Sequence, residues 1–151
     1  MLQALKPSLE IIGVEPKNAS CFAAGVAAGE AVRVSTKFTL ADGLAVAQAG
    51  DLTLSITRQL KHKMVSIDEE WLALAMLRLA ELEKCVIEGA GAAGLAALLS
   101  GRLPELAGRH IVLVLSGGNF DSVWPCVLMT SRRTCRRFAP LRFRSPARGD
   151  W

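Results

Sequence analysis

The chain has 151 residues, 51% of them hydrophobic and 21% charged, which fits one folded domain and excludes a disordered or fibrous class. Its net charge of +4 is uneven: residues 1–121 carry eleven Lys or Arg against thirteen Asp or Glu, while residues 122–151 carry seven arginines against Asp150 alone. The four cysteines (Cys21, Cys85, Cys126, Cys135) stand apart and give no zinc-ligand spacing, so free thiols in a reducing, cytoplasmic compartment are expected.

The first residues, Met1 to Pro7, show no basic region followed by an apolar one, so no secretory signal is expected. Leu2 to Leu5 reads as the end of a helix stopped by Pro7, and Leu9 to Val14 as a short strand closed by Glu15-Pro16. A helix end feeding a strand of this kind leads us to expect further fold upstream. Ser20 to Glu30 is a weak helix, and Ala31 to Val34 is extended. Leu40-Ala-Asp-Gly-Leu44 is expected to lead into a small helix ending at Gly50, Asp51 to Leu60 to be irregular or briefly helical, and His62 to Ile67 to be a strand.

Ser66-Ile-Asp-Glu69 has the spacing of a capping box ahead of an apolar-periodic run. The helix it predicts buries Trp71, Leu74, Ala75, Leu77, Leu79 and Leu82 and ends near Lys84. Cys85 to Ile87 reads as a short strand, Ala90 to Ser100 as a tight Ala/Leu helix capped by Gly101. Ile111-Val-Leu-Val-Leu115 has no polar break, as in a strand buried on both faces, and ends in Ser116-Gly117-Gly118-Asn119. Ligands of open α/β sheets sit beyond such strand ends, which makes Ser116 a candidate polar contact; an ordinary strand and turn fits the same residues. From Ser122 onward no period of 3.6 or 2 persists, and a disordered tail is expected.

Gly89-Ala-Gly-Ala-Ala-Gly94 matches G-x-G-x-x-G, but the acidic ribose ligand of a dinucleotide site is missing at the end of the next strand. Small residues there also permit close helix–sheet packing. Glu88 precedes these glycines, where the helix dipole favours a carboxylate, and it can equally line a pocket. Asp42-Gly43 can be a plain turn, and His62 and His110 have no partners at useful spacing.

Four segments in order carry a more specific signal: Ile12-Gly-Val-Glu-Pro16, Leu40-Ala-Asp-Gly-Leu-Ala-Val46, Val86-Ile-Glu-Gly-Ala-Gly-Ala-Ala-Gly-Leu-Ala-Ala97 and Leu115-Ser-Gly-Gly-Asn119. Together they resemble the C-terminal part of the catalytic domain of threonine/serine dehydratases and serine racemase. These are pyridoxal-phosphate enzymes of the tryptophan-synthase-β-like kind (fold type II). The resemblance spans about residues 3–121 and implies an α/β fold, part of a three-layer parallel-sheet domain, followed by an atypical Arg-rich tail over 122–151.

By position, the resemblance implies that the Ser116 hydroxyl meets the pyridine nitrogen of pyridoxal 5'-phosphate, with Gly43 and Gly117 near the ring and Glu88 at the pocket wall. A neutral hydroxyl there tempers the ring as an electron sink. Lys84 and Asn119 match a nucleotide effector site of the racemase-like members. Glu15 and the Ala19 carbonyl match two ligands of a divalent cation whose third ligand, an Asp in the racemases, is Cys21 here; Mg²⁺ and Ca²⁺ take oxygen, which counts against a metal. The family's Schiff-base lysine and Gly-rich phosphate loop have no counterpart among these residues, so no catalytic residue is assigned and the isolated chain is expected to bind the cofactor weakly and to be inert.

The implied activity is conversion of L-threonine or L-serine to a 2-oxo acid and ammonia by α-proton abstraction and β-elimination, in a homo-oligomer. A serine-racemase-like activity is the near alternative. Other classes remain: a non-catalytic interaction or regulatory form, using the arginines of the tail on nucleic acid or an anionic surface, and a small nucleotide-binding module dependent on Gly91. Alone, a partial domain of this kind is expected to expose sheet edges and to aggregate.

Overall fold

A computed structural model describes residues 2–118. Asn119, the tail over 122–151 and the expectations attached to them lie outside the described residues. The order is α1 (Leu2–Leu5), β1 (Ile12–Pro16), α2 (Cys21–Ala28), α3 (Asp51–Gln59), β2 (Lys63–Ile67), α4 (Glu69–Arg78) and α5 (Gly89–Leu99). This is a mixed α/β arrangement with a small parallel sheet, as the strand–helix alternation implies.

β1 and β2 pair in parallel, in the register Ile12 to Lys63, Val14 to Val65 and Pro16 to Ile67. The expected strand over Leu9 to Val14 is therefore shifted, and Pro16 closes it from within. Pro16 closes β1 because, lacking an N–H, it has no donor to give to a continuing ladder. The main core lies where α4 and α5 pack on this sheet: Val65 and Ile67 of β2 meet Leu72, Ala75 and Met76 of α4 and Ala92, Ala93, Ala96 and Ala97 of α5. Alanine on successive turns of α5 lets its backbone approach α4 closely. A smaller core joins Cys21, Ala49 and Leu54, with Phe22, Ala31 and Val34 around it.

Several expectations are corrected. Ser66 does not cap α4, because it lies in β2 opposite Glu15; Asp68 stands at the N-cap without a side-chain cap bond and pairs instead with Lys17 (3.2 Å) and Arg102 (2.6 Å). Glu69, the other half of the supposed box, reaches across the fold to accept from Leu40 N–H (2.8 Å) and Asn18 Nδ2 (3.2 Å). No small helix runs to Ala49. A 3₁₀ turn over Asp42–Leu44 gives way to extended chain, with Gln48 bridging Arg33, and Gly50 opens α3. Beyond α4 a π-helical turn, Leu79–Glu83, ends at left-handed Lys84 (φ 57°) and leaves Leu82 61% exposed rather than buried.

The two remaining strand expectations also fail. Neither Cys85 to Ile87 nor Ile111 to Leu115 joins a ladder among the described residues. Val112 is 89% and Val114 77% exposed, while Leu113 packs inward on Gly94 of α5. A doubly buried strand needs a neighbouring strand on at least one side and cover on its second face, and nothing among residues 2–118 provides either. The run is apolar as expected but only its Leu113 side is covered.

Candidate functional site

The N-terminus of α5 gathers three separate segments. Glycines make this possible. A Cβ on Gly89 would overlap the Leu40 carbonyl and sit 2.9 Å from Ala41 N, and one on Gly91 would overlap the Ser116 carbonyl and sit 2.8 Å from Ile87 Cγ2. The G-x-G-x-x-G pattern thus serves close approach of the chain to itself, the packing alternative raised by the sequence.

Glu88 stands at the N-cap of α5, with extended backbone (φ −65°, ψ 161°) and a half-buried side chain. Its backbone N–H donates to the Gly117 carbonyl at 3.3 Å. A Cβ on Gly117 (φ 83°) would overlap the Glu88 carboxylate, and one on Gly43 would sit 3.3 Å from Ala90 Cβ and 3.8 Å from Glu88 Oε1. Ser116 is exposed beside them. So Gly43, Glu88 and the adjacent Ser116 and Gly117, from three segments far apart in the chain, converge at one helix end.

Loop 40–44 is held in this place by Glu69 through Leu40 N–H, and within it Asp42 Oδ1 accepts from Gly43 N–H at 2.8 Å. Glu69 was missed as a site-supporting residue because its partners lie 29 and 51 residues away, beyond any local spacing. The assembled groups are a neutral hydroxyl, a carboxylate and two side-chain-free glycines beside a helix N-terminus. Of this set, Ser116 offers a hydroxyl that can donate to or accept from the nitrogen of a flat heteroaromatic ring, while the space beside Gly117 is held by the Glu88 carboxylate.

The positions matched to a cation behave differently. Glu15 is 5% exposed at the end of β1, and its oxygens accept from Phe22 N–H (Oε2, 3.1 Å) and Ala23 N–H (Oε1, 2.9 Å). Burial pushes its carboxyl above the ordinary range, and the two N–H groups pull partly against that. The neighbouring Cys21 is buried in the smaller core, and burial followed by the Glu15 charge pushes its thiol up. With both Glu15 oxygens engaged by the helix and sulfur at the third position, the set does not fit Mg²⁺ or Ca²⁺. Among the described residues no group of three or more His, Cys, Asp or Glu could hold a metal ion.

Lys84 is exposed and its Nζ donates to the Glu81 carbonyl at 2.6 Å; its proposed companion Asn119 is outside the described residues. His62 Nε2 lies 3.0 Å from Gln3 Oε1, a structural contact. No described helix is long and apolar enough to cross a membrane.

A family described as pyridoxal-phosphate dependent enzyme matches residues 1–117. The L-threonine ammonia-lyase of Thermotoga maritima is 42% identical over 120 residues, covering 80% of this chain and 29% of that protein. The serine racemase of Arabidopsis thaliana is 38% identical over 128 residues, covering 81% of this chain and 38% of that protein. Among solved structures, maize serine racemase superposes with a TM-score of 0.75 at 34% identity, covering 85% of this chain and 41% of that one. Threonine deaminase isoform 2 of Solanum lycopersicum gives 0.77 at 27% identity, over 84% and 37%. The chain thus spans well under half the length of each of these proteins.

Proposed function

Because the chain belongs to the pyridoxal-phosphate-dependent enzyme family, we propose that residues 2–118 form the ring-side wall of an ammonia-lyase site for L-threonine or L-serine. The observation that carries this reading is the convergence of Gly43, Glu88, Ser116 and Gly117 at the N-terminus of α5, in a chain 42% identical to an L-threonine ammonia-lyase. The net reaction takes the hydroxy amino acid to a 2-oxo acid and ammonia, the water lost from Cβ being regained on hydrolysis. When bound, pyridoxal phosphate supplies the sink for the electrons released at Cα.

The residues here hold and tune. Ser116 Oγ holds the ring nitrogen by a neutral hydrogen bond, so the nitrogen is not fixed in its protonated form as a carboxylate would fix it. Gly43 adds no side chain to this wall, and Glu88, its carboxylate seated against Gly117, would close it beside the ring. None of the six lysines (6, 17, 37, 61, 63, 84) is assigned to the cofactor's carbonyl carbon, so turnover by the 151 residues alone is not expected. Serine racemisation is the second reading, favoured by the 38% identity to the Arabidopsis racemase. Nucleotide regulation through Lys84 and Asn119 and a homo-oligomeric assembly rest on the resemblance alone.

The experiment is a graft. Residues 2–118 replace the matching segment of the Thermotoga L-threonine ammonia-lyase, and release of 2-oxo acid from L-threonine and L-serine is measured. Release above that of the unloaded graft supports a lyase wall. Interconversion of L- and D-serine without 2-oxo acid supports the racemase reading. A folded graft that does neither contradicts both.

A further inference from the structure

The residues matched to a cation site have a use of their own. An α-helix begins with N–H groups that lack intrahelical partners, and a side chain at the N-cap ordinarily satisfies one of them. The N-cap of α2 is Ser20, which makes no side-chain cap bond; its hydroxyl faces the Lys17 carbonyl instead. The second and third residues of the helix, Phe22 and Ala23, donate to Glu15, one to each carboxylate oxygen.

Glu15 precedes α2 by six residues and belongs to β1, paired with Ser66 of β2. It therefore ties the helix to the sheet directly, at a position 5% exposed, where a carboxylate is tolerated only if its oxygens are satisfied. Next to it Cys21, 3% exposed, packs with Ala49 and Leu54 as a small hydrophobe. The cavity of about 270 Å³ that Glu15, Ala19 and Cys21 help to line is otherwise walled largely by apolar side chains such as Phe22, Leu44, Val46 and Met64. A hard cation, which takes six or more oxygens including water, has no second carboxylate and little polar surface here.

We infer that Glu15 is a metal-free clamp: its carboxylate caps α2 from β1, and Cys21 removes the ligand that a divalent cation would need at this junction. The junction is then held by the chain itself and is indifferent to divalent cations. This rests on family membership and on the Glu15 geometry, not on the lyase reading. Because its test reads unfolding rather than turnover, failure of either can be told from failure of the other.

The test is thermal unfolding of the full 151-residue chain in EDTA and in millimolar Mg²⁺, Ca²⁺ or Mn²⁺. The expected midpoint is the same in all four, whereas Cys21→Asp gains a cation-dependent rise of about 5 °C or more at saturation. Cys21→Asn, which adds an oxygen without a charge, gains a smaller rise and serves if the Asp variant does not fold. A cation-dependent rise in the unmodified chain that Glu15→Gln abolishes would overturn the inference. So would the absence of any cation response in both folded Cys21 variants.

Discussion

Glu88 and Gly117 touch twice: the Glu88 N–H donates to the Gly117 carbonyl at 3.3 Å, and the Glu88 carboxylate occupies the space a Cβ on Gly117 would need. This contact places Ser116 beside the N-terminus of α5 and makes glycine the residue required at 117. Gly117→Ala is expected to lower stability by about 1–3 kcal/mol, from its left-handed backbone (φ 83°) and from the displaced carboxylate. Urea midpoints of Gly117→Ala, Glu88→Ala and the double variant separate the two costs. Glu88→Ala should recover part of the loss, and strict additivity would contradict the contact.

Glu69 anchors loop 40–44 from α4, through a 2.8 Å bond to Leu40 N–H. Glu69→Ala is expected to cost about 1–3 kcal/mol, since a part-buried N–H and the Asn18 amide lose a charged acceptor. Amide exchange at Leu40 should accelerate more than exchange in the middle of α5. Unchanged protection at Leu40 would show that the loop holds its place without Glu69.

Stability should also depend on pH through Glu15. Burial raises its carboxyl from 4.5, so the folded chain holds this proton more tightly than the unfolded chain does. That contribution is fully present below about pH 4.5 and is lost as pH rises through the raised value. Glu15→Gln keeps one acceptor and cannot ionise. The stability of the original chain relative to this variant should therefore fall as pH is raised from about 4 to about 7, read from urea midpoints at each pH. A gap independent of pH would contradict the burial argument.

Some elements were legible in local pattern. The apolar runs around Ile12 and Val65 and the Ala/Leu stretch from Ala90 predicted β1, β2 and α5, because their burial is written in their own periodicity. The four ordered motifs named segments that meet at α5, and three of them bring Gly43, Glu88 and Ser116–Gly117 together there. Long-range demands were not legible. Ser66 has the spacing of a cap, yet the parallel ladder with Glu15 claims its backbone, and Glu69 is drawn to Asn18 and Leu40. Ile111 to Leu115 has the composition of a central strand, but composition cannot supply the neighbours that make one. Glu15 matched a metal ligand by position, whereas its partners Phe22 and Ala23 became visible only once α2 folded back onto β1.

The neutral hydrogen bond proposed between Ser116 and the ring of a bound pyridoxal phosphate must show in both rate and spectrum. The most direct measurement is the rate of 2-oxo acid release from L-threonine by the Thermotoga graft carrying Ser116, Ser116→Ala or Ser116→Asp, each loaded to the same cofactor content. Ser116→Ala is expected to slow release about tenfold or more, corresponding to about 1.4 kcal/mol of barrier or more. Ser116→Asp, which holds the ring nitrogen protonated, is expected to shift the absorption of the bound cofactor. Equal rates and identical spectra for all three loaded grafts would contradict the proposed bond.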